Sequence, residues 1–322
     1  MERRKALGMM TASALGALAG RAVGQDRQGM IRIVVPYAAG GQTDSMARLL
    51  SESMQKTLGR TIIVDNRPGA AGLIATKNVQ LAPPDGDAVL FHNSGFVALP
   101  MLMKAATYDP VKDFDAVAMV GNGPNFLMVT DSVPARTVPE FLAYARSLPQ
   151  GLASANSGIN SAGHISSLMF EKLANIKLVH VPYKGSAEVT RALLGGDVQM
   201  QISVTTDSLN PYIKNGKIRI LAVATRERSA LAPDVPTIGE FLPGYSIDGW
   251  FGILAPANTP LATREVLSAA IKHALDEPMI RERFTALFME VVHRGPKEFA
   301  VIISESVGYF RKIVDDLQLV AQ

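Results

Sequence analysis

Ile31-Arg-Ile-Val-Val-Pro-Tyr-Ala-Ala-Gly-Gly-Gln-Thr-Asp-Ser45 is the stretch of sequence that decides the predicted fold. Its first five residues are mostly β-branched, which favours a buried strand. Pro36 should end that strand, because proline has no N–H to donate to a neighbouring strand. Apolar residues then recur at spacings of three and four up to Leu58, which indicates an amphipathic helix, and Gly59 suits its end. The stretch therefore predicts a strand, a loop and the start of a helix.

The loop between this strand and helix consists of small residues from Ala38 to Gly41, so a ligand could approach its backbone closely. Thr43 and Asp44 follow it and are candidates for the helix N-cap. The N-terminus of a helix presents free N–H groups and the positive end of the helix dipole, and it therefore favours anions. The loop thus predicts a site for a negatively charged group.

The composition bounds the class of protein. The chain has 322 residues, of which 48% are hydrophobic, and this is enough for a large core in one or two domains. The net charge of +3 is spread along the chain without long Lys/Arg runs, so nucleic acid is not indicated as a partner. The absence of cysteine excludes disulfides, thiolate catalysis and cysteine-based metal sites.

The N-terminus has the pattern of a secretory signal peptide. A charged segment from Glu2 to Lys5 precedes an apolar run of small residues that is too short for a comfortable membrane span. Small-residue cleavage patterns follow, and we place the signal peptide at residues 1–24. Arg3-Arg4 weakly resembles a twin-arginine export signal, and an uncleaved amphiphilic start is the alternative interpretation. The mature protein is predicted to be soluble and exported.

Strand and helix patterns alternate along the chain, which predicts an α/β fold. Val35-Pro36-Tyr37 and Val181-Pro182-Tyr183 each close a predicted strand, and a loop of small residues opens a helix after each. This echo predicts two lobes, with a first crossing at residues 121–125. Further strands are predicted at 61–64, 88–92, 117–120, 126–129, 152–155, 177–181, 198–204, 218–224 and 250–254, and helices at 73–81, 138–148, 165–173, 208–215, 262–275, 279–287 and 297–317.

Three interpretations of the loop from Tyr37 to Asp44 remain open at this point. It could bind a nucleotide, although it lacks the P-loop lysine and does not match G-x-G-x-x-G. Asp65 lies where a ribose-binding acid would be expected, which keeps a dinucleotide possible. The loop could be a purely structural turn, or its N–H groups could capture a small carboxylate, in part through water. Arg67 could clamp a carboxylate, but a local pair with Asp65 is favoured.

Several other polar residues have both a structural and a ligand-binding interpretation. Ser157, Asn160 and Ser161 are short donors at a helix start, where simple capping is compatible with ligand contact. His164 could donate to a ligand, but a structural role is favoured. Asp207 would repel an anion, so it is either an N-cap or a receptor for an amino group. Tyr37 and Tyr183 are packing residues or cleft walls, and Trp250 is core or hinge packing.

Catalysis finds little support in the sequence. There is no G-x-S-x-G nucleophile elbow and no H-E-x-x-H motif, and the five histidines are scattered. No group of His, Asp and Glu has metal-ligand spacing. We therefore predict a protein that is not an enzyme and holds no cofactor or metal.

Six segments together resemble one known family. They are residues 31–44, 64–72 (Val-Asp-Asn-Arg-Pro-Gly-Ala-Ala-Gly), 83–86 (Pro-Pro-Asp-Gly), 108–114 (Tyr-Asp-Pro-Val-Lys-Asp-Phe), 179–185 (Val-His-Val-Pro-Tyr-Lys-Gly) and 249–256 (Gly-Trp-Phe-Gly-Ile-Leu-Ala-Pro). The chain resembles the Bug-type periplasmic solute receptors of the tripartite tricarboxylate transporter, over nearly the whole mature sequence. Residues 201–205 depart from the family pattern, in which this segment often carries Phe and Asp. The resemblance implies that this segment faces the end of the ligand that the first lobe does not hold, so the chemical group at that end is not predicted.

The resemblance implies a two-lobe, type II periplasmic binding protein of Venus-flytrap form. Lobe 1 would comprise residues 25–123 and 250–322, and lobe 2 would comprise 124–249. The lobes would close about crossing strands near Pro124-Asn125 and Gly249-Trp250. The implied function is capture of a small organic carboxylate and its delivery to the membrane permease subunits of a tripartite tricarboxylate transporter, with the receptor as a monomer.

The resemblance also implies which residues bind the ligand. The first lobe would hold one carboxylate, partly through water, and the second lobe would complete the pocket. The predicted ligand-binding residues are Tyr37, Ala38, Ala39, Gly40, Gly41, Thr43, Pro68, Gly69, Ala70, Ala71, Gly72 and Ser94, with Asn125, Ser157, Asn160, Ser161, His164, Tyr183, Lys184, Gly185, Thr205, Thr206 and Asp207.

Two other functions remain alternatives. One is an exported Rossmann-type oxidoreductase that binds a dinucleotide at the loop from Ala38 to Gly41. The other is a receptor of the same fold that serves a sensor kinase and not a transporter. The sequence does not name the carboxylate.

Overall fold

The structure is a computed structural model, and it describes residues 29–205, 208–247, 249–287, 289–316, 318–319 and 321. The predicted signal peptide at residues 1–24 lies outside the described residues, as do Thr206 and Asp207. Within the described part of the chain, no helix combines the length and the apolar character that a membrane crossing requires.

The strands in chain order are β1 (Ile31–Val35), β2 (Ile62–Asn66), β3 (Ala88–Asn93), β4 (Phe114–Asn122), β5 (Phe126–Thr130), β6 (Leu152–Asn156), β7 (Leu178–Pro182), β8 (Met200–Ser203), β9 (Ile218–Val223), β10 (Trp250–Pro256) and β11 (Glu290–Arg294). The α-helices are α1 (Gln42–Leu58), α2 (Leu73–Gln80), α3 (Gly95–Leu102), α4 (Val138–Arg146), α5 (Ala162–Ala174), α6 (Ser186–Gly195), α7 (Asn210–Lys214), α8 (Leu261–Asp276), α9 (Pro278–Ala286) and α10 (Pro296–Asp316).

These elements form two α/β lobes, each built around its own sheet. The first sheet has the strand order β11-β4-β10-β3-β1-β2, and the second has the order β7-β6-β8-β5-β9. The chain leaves the first sheet after Asn122 and enters the second at Phe126, and it returns between Val223 and Trp250. The predicted fold class is therefore confirmed. The lobe boundaries at 123/124 and 249/250 remain a prediction.

Parallel strand pairing places the loops that lead from strands into helices at a shared edge of each sheet. In the first sheet β1 lies between β2 and β3, parallel to both. In the second sheet β6 lies between β7 and β8, again parallel to both. Ligand sites in open α/β sheets lie beyond the carboxyl ends of such strands. The loops that lead from β1 to α1, from β6 to α5 and from β7 to α6 start from those ends.

Glycines end two helices where the sequence predicts it. Gly59 adopts the left-handed conformation (φ 64°) after α1, and its N–H donates to the Gln55 carbonyl. Gly196 ends α6 in the same way, with φ 81°. The predicted N-cap of α1 is wrong, because Gly41 is the N-cap and the helix begins at Gln42, so Thr43 and Asp44 lie inside its first turn.

Two elements are missed by the sequence interpretation. Helix α3 follows β3 directly, in a segment for which the sequence predicts no helix, and it is almost wholly buried with Pro100 inside it. It therefore shows no amphipathic pattern. Strand β11 is half-exposed and pairs with β4 at the edge of the first sheet. An edge strand with mixed burial has no clear alternation of apolar and polar residues.

Candidate ligand-binding site

A small cavity of about 20 Å³ lies between the two lobes. Its walls come from the loops that follow strands of both sheets. The lining residues are Tyr37, Gly41, Gln42, Thr43, Asn93 and Phe251 from the first lobe, and Asn125, Ser157, Ala162, Gly163, Ser186, Ser203 and Val204 from the second. None of these described lining residues carries a charge.

Three helix N-termini converge on this cavity. Helix α1 contributes its first two residues, Gln42 and Thr43, and α5 contributes its first two, Ala162 and Gly163. Helix α6 contributes Ser186, its first residue. All three helices are at least ten residues long, so each carries a full N-terminal dipole end. Such an arrangement of neutral N–H and O–H donors favours an anion.

Asp44 holds the loop from Tyr37 to Gly41 in place. Its carboxylate accepts from the Gly40 N–H at 2.9 Å, from Arg48 Nε at 3.0 Å and from Asn66 Nδ2 at 3.0 Å. The Asn66 amide also donates to the Tyr37 carbonyl at 3.1 Å. Burial would raise the pKa of Asp44, but these hydrogen bonds outweigh it, and the pKa lies below its usual value. An ionised carboxylate therefore braces the loop from behind.

Tyr37 forms one wall of the cavity as a neutral phenol. Its side chain is buried and its hydroxyl exchanges hydrogen bonds with the Asn93 amide at 3.2 to 3.4 Å. Burial raises the pKa of Tyr37 to about 12, although the hydrogen bond with Asn93 opposes that effect. The ring packs edge-on against His92, with 5.9 Å between ring centroids. Tyr37 is thus both a packing residue and a cleft wall.

The lobes are in contact around the cavity. A β-carbon placed on Gly185 would lie 3.3 Å from the Ala38 nitrogen, so the two loops touch. The Asn160 amide donates to the Leu102 carbonyl at 2.9 Å, and the Thr205 hydroxyl donates to the Leu287 carbonyl at 3.0 Å. A cavity of about 20 Å³ has room for about one water molecule. This conformation is closed, and an organic acid could enter only after the lobes separate.

A family model described as the tripartite tricarboxylate transporter family receptor matches residues 46–319. The chain belongs to this family. The fold of the receptor is also that of solved relatives. The periplasmic binding protein BugD is 31% identical, with a TM-score of 0.85, over 91% of this chain and 99% of that one.

Two further solved relatives contain carboxylates. Rpa4515 of R. palustris, solved with adipate, is 30% identical with a TM-score of 0.86, and the match covers 92% of the receptor and 100% of Rpa4515. MatC (Rpa3494) of Rhodopseudomonas palustris, solved with bound malate, is 33% identical with a TM-score of 0.82, over 88% and 98% of the two chains. The predicted family and two-lobe fold are thereby confirmed.

The predicted site residues of the receptor fall into four groups. Tyr37, Gly41, Thr43, Asn125 and Ser157 line the cavity. Buried or half-buried residues outside the lining are Ala38, Gly69, Ala71, Gly72, Ser94, Asn160, Ser161, His164, Tyr183, Gly185 and Thr205. The exposed residues are Ala39, Gly40, Pro68, Ala70 and Lys184. Thr206 and Asp207 lie outside the described residues.

The loop from Gly69 to Gly72 does not reach the lining in this closed conformation. A β-carbon on Gly72 would lie 2.7 Å from His92 Nε2, so the loop packs down on that buried ring. Ala70 and Ala71 both have positive φ, at 47° and 52°. Such angles are costly for alanine, so Ala70 and Ala71 strain the backbone of this loop. Ala71 faces Gly158 of the other lobe.

The loop before α5 is held by its own side chains. Ser161 is the N-cap of α5, and its hydroxyl accepts from the His164 N–H at 3.3 Å, as the capping interpretation predicts. His164 Nδ1 accepts from the Asn160 N–H at 3.0 Å. Burial, with a smaller effect from the neighbouring His180, lowers the pKa of His164 to about 4. His164 is therefore a neutral structural acceptor that fixes the position of Asn160.

Sequence reasoning missed eight lining residues of the receptor: Gln42, Asn93, Ala162, Gly163, Ser186, Ser203, Val204 and Phe251. Four of them begin helices: Ala162, Gly163 and Ser186 belong to loops that the sequence predicts, and Gln42 directly follows one, but none of the four is predicted as a site residue. Ser203 and Val204 lie in the segment that departs from the family pattern. The side of β10 that carries Phe251 gave no sequence signal.

The dinucleotide alternative is not supported. Asp65, the candidate ribose acid, pairs with Arg67 at 2.8 Å and with Arg32 at 3.5 Å, which includes the predicted local pair. Within the described residues no group of three or more His, Cys, Asp or Glu could hold a metal.

Two larger grooves, of about 610 and 350 Å³, adjoin the crossing segments at Asn122 and Gly249. They share no described lining residue with the cavity.

Proposed function

We propose that this receptor captures a small organic carboxylate between its two lobes and releases it unchanged. The observation that carries the proposal is the convergence of the N-termini of α1, α5 and α6 on one cavity whose described lining is uncharged. Each hydrogen bond to a charged group contributes about 1.5–3 kcal/mol, and a helix end adds about 0.3–1 kcal/mol. A few such contacts are sufficient for micromolar binding after ordering costs.

The relatives support the class of ligand. Adipate and malate are both small dicarboxylates, and they occupy proteins of the same fold and family. The described lining offers hydroxyl groups from Thr43, Ser157, Ser186 and Ser203 beside the helix N–H groups. Such donors suit carboxylate oxygens. Binding without catalysis follows because this donor set holds an anion but presents no activated nucleophile or general base.

Closure of the lobes would couple binding to a change of shape. The ligand would contact donors from both lobes, and only a ligand with such differential contacts favours the closed form. The segments around Pro124 and Gly249 would act as the hinge, because the chain crosses between the sheets only there in its described part. In the open form the contacts of Asn160 with Leu102 and of Thr205 with Leu287 would be broken.

We propose that the receptor works in the periplasm, as a monomer, and passes its ligand to the membrane permease subunits of a tripartite tricarboxylate transporter. The family assignment and the periplasmic relative BugD support this location and this partner. The signal-peptide pattern of residues 1–24 supports export through the membrane. Closure would create the surface, spanning both lobes, that a permease could distinguish from the open form.

The test is a thermal-shift screen of C3 to C6 mono-, di- and tricarboxylic acids, followed by calorimetric titration of the acids that stabilise. We expect at least one acid to bind with a micromolar or lower Kd and one-to-one stoichiometry. Failure of every acid to raise the Tm would contradict the proposal.

A matched pair of variants links the binding to lobe closure. Gly185→Ala places a methyl group against the Ala38 backbone and should weaken the tightest acid at least tenfold. Gly195→Ala changes the other end of the same helix, where the new methyl group would contact only the Asp197 side chain, and should leave the Kd unchanged. Equal Kd values for both variants would contradict a binding site at this lobe contact.

A further inference from the structure

Gln42 is a buried polar side chain with one satisfied and one unsatisfied end. It is the first residue of α1, it lines the cavity, and its side chain is 2% exposed. Its Nε2 donates to the Leu287 carbonyl at 3.3 Å. Its Oε1 is buried, and no residue in the described parts of the chain donates a hydrogen bond to it. Buried polar atoms are nearly always paired, so this oxygen calls for a partner.

The orientation of the Gln42 amide follows from its surroundings. If the amide were flipped, Oε1 would face the Leu287 carbonyl oxygen, and two acceptors would oppose each other. The same carbonyl accepts from the Thr205 hydroxyl at 3.0 Å, so it is already an acceptor for both lobes. Gln42 therefore keeps Nε2 toward Leu287 and presents Oε1, which can only accept.

The hydroxyl and N–H groups of the described lining differ from Gln42 Oε1 in this respect. The hydroxyls of Ser157, Ser186 and Ser203 can rotate to donate to a carboxylate, and the helix N–H groups donate as well. Gln42 Oε1 cannot donate, so a carboxylate oxygen beside it would leave both oxygens unpaired. The oxygen would be satisfied by a ligand group that carries an N–H or an O–H.

We propose that Gln42 is a specificity-determining residue: its Oε1 accepts a hydrogen bond from a hydroxyl or ammonium group of the ligand. The receptor then selects hydroxy- or amino-carboxylates over acids of the same length that lack such a donor. This inference rests on the proposed function, since it assumes that the cavity holds a small carboxylate. Sites built to hydrogen-bond a ligand donor discriminate strongly against analogues without it.

The test compares acids that differ by a single donor group. The probes are succinate, L-malate and L-aspartate, with propionate against lactate and glutarate against 2-hydroxyglutarate to allow for ligand length. Titration calorimetry on the wild-type receptor should give at least a tenfold lower Kd for the hydroxy or amino acid in the tightest-binding set. A preference for aspartate over malate would identify ammonium as the donor, and the reverse would identify hydroxyl.

Variants then assign the preference to Gln42. Gln42→Met keeps the side-chain volume and removes the acceptor, and the Leu287 carbonyl keeps its bond from Thr205. In this variant the preference should fall to less than threefold, while succinate binding changes little. Thr205→Val removes the other donor to the same carbonyl and a contact between the lobes, so it should weaken the binding of all acids alike but keep the preference.

The outcomes separate the two proposals. If acids bind but the wild-type receptor shows no preference in any set, the role of Gln42 is wrong while carboxylate capture stands. If folded Gln42→Met keeps the full preference, the role of Gln42 is likewise wrong and carboxylate capture stands. If no acid binds at all, the proposed function fails and this inference fails with it. Even if Gln42→Met does not fold, the absence of any preference in the wild-type receptor would still overturn the role of Gln42.

Discussion

The side-chain amide of Asn160 donates to the main-chain oxygen of Leu102 at 2.9 Å, and this bond fastens the second lobe to the first. Asn160 has a positive φ of 65°, which asparagine and glycine tolerate better than other residues. Its own N–H is held by His164. The residue that makes this contact between the lobes is therefore positioned by a neighbour in its own lobe.

Replacement of Asn160 by glycine should weaken ligand binding without a large loss of fold stability. Glycine keeps the backbone conformation but removes the bond to Leu102, which is worth about 1 kcal/mol, or about fivefold in Kd. Titration calorimetry and thermal melts of the ligand-free protein measure the two effects. Asn258→Gly is the control, because Asn258 is exposed and also has a positive φ, at 69°. An equal loss of affinity in both variants would show that the hydrogen bond from Asn160 to Leu102 does not stabilise the closed form.

Asp44→Asn should impair both the loop and the affinity. The neutral amide keeps one acceptor oxygen but loses the charge-assisted bonds that serve Gly40, Arg48 and Asn66. We expect a Kd increase of about tenfold or more, from a loss of about 1.5–3 kcal/mol. Asp87→Asn, which breaks the ion pair with Arg60, is the control and should lower the Tm alone. Unchanged affinity in Asp44→Asn would show that the brace does not position the loop.

Ala71→Gly should stabilise the protein, contrary to the usual effect of adding glycine. Ala71 has φ 52° and ψ 25°, a left-handed conformation that costs an L-residue about 1–2 kcal/mol. Glycine relieves this strain but gains entropy in the unfolded state, so the net gain should be below about 1 kcal/mol. Urea denaturation measures it. Ala269→Gly, on the exposed face of α8, should instead lose about 1 kcal/mol. A lower free energy of unfolding in both variants would show that the backbone at Ala71 is not strained.

Acidification should destabilise the receptor at pH values above those at which carboxylates titrate. Burial lowers the pKa of His92, and that of His164, to about 4. Both are neutral in the native state, while the unfolded chain takes up protons below its ordinary histidine pKa of about 6.5. Stability is therefore complete above about pH 6.5 and falls between pH 6.5 and 4, by up to about 1.4 kcal/mol per pH unit for each histidine.

Urea denaturation at pH 7.5, 6.5, 5.5 and 4.5 measures this slope. His92→Gln should lose part of it. Asp44, whose pKa is lowered, contributes in a different window, since its stabilisation is lost only below its ordinary pKa of 3.8. A free energy of unfolding that does not change between pH 7.5 and 4.5 would contradict the neutral, buried state of both histidines.

The sequence predicts the local units of this fold better than their ends. The strand from Ile31 to Val35 follows from its β-branched composition. The helix up to Leu58 follows from periodicity, because burial of one helix face imposes a regular pattern. The predicted N-cap at Thr43 or Asp44 is wrong, since Asp44 has the chemistry of a cap but its carboxylate accepts from the Gly40 N–H from inside the helix. Helix α3 is buried all round and strand β11 is an edge strand, so neither has the expected periodicity.

The site is predicted in kind but only partly in detail. The loops before α1, α5 and α6 are recognisable in the sequence because small and polar residues separate a strand from a helix. Which of their residues face a common cavity depends on how the two sheets are placed, and no local pattern encodes that. Ser186 and Phe251, more than sixty residues apart, line one cavity only because the lobes meet.

The uncharged character of the described cavity lining has a consequence for the conditions under which the receptor works. Dissolved ions screen attraction between exposed charges over about 10 Å at 0.1 M ionic strength, but they act much less on short, buried contacts. A guest held by amide and hydroxyl groups, and not by arginine or lysine, should be retained about equally in dilute and in saline surroundings. A bacterium that lives where salinity fluctuates would then keep its uptake affinity without adjusting the protein.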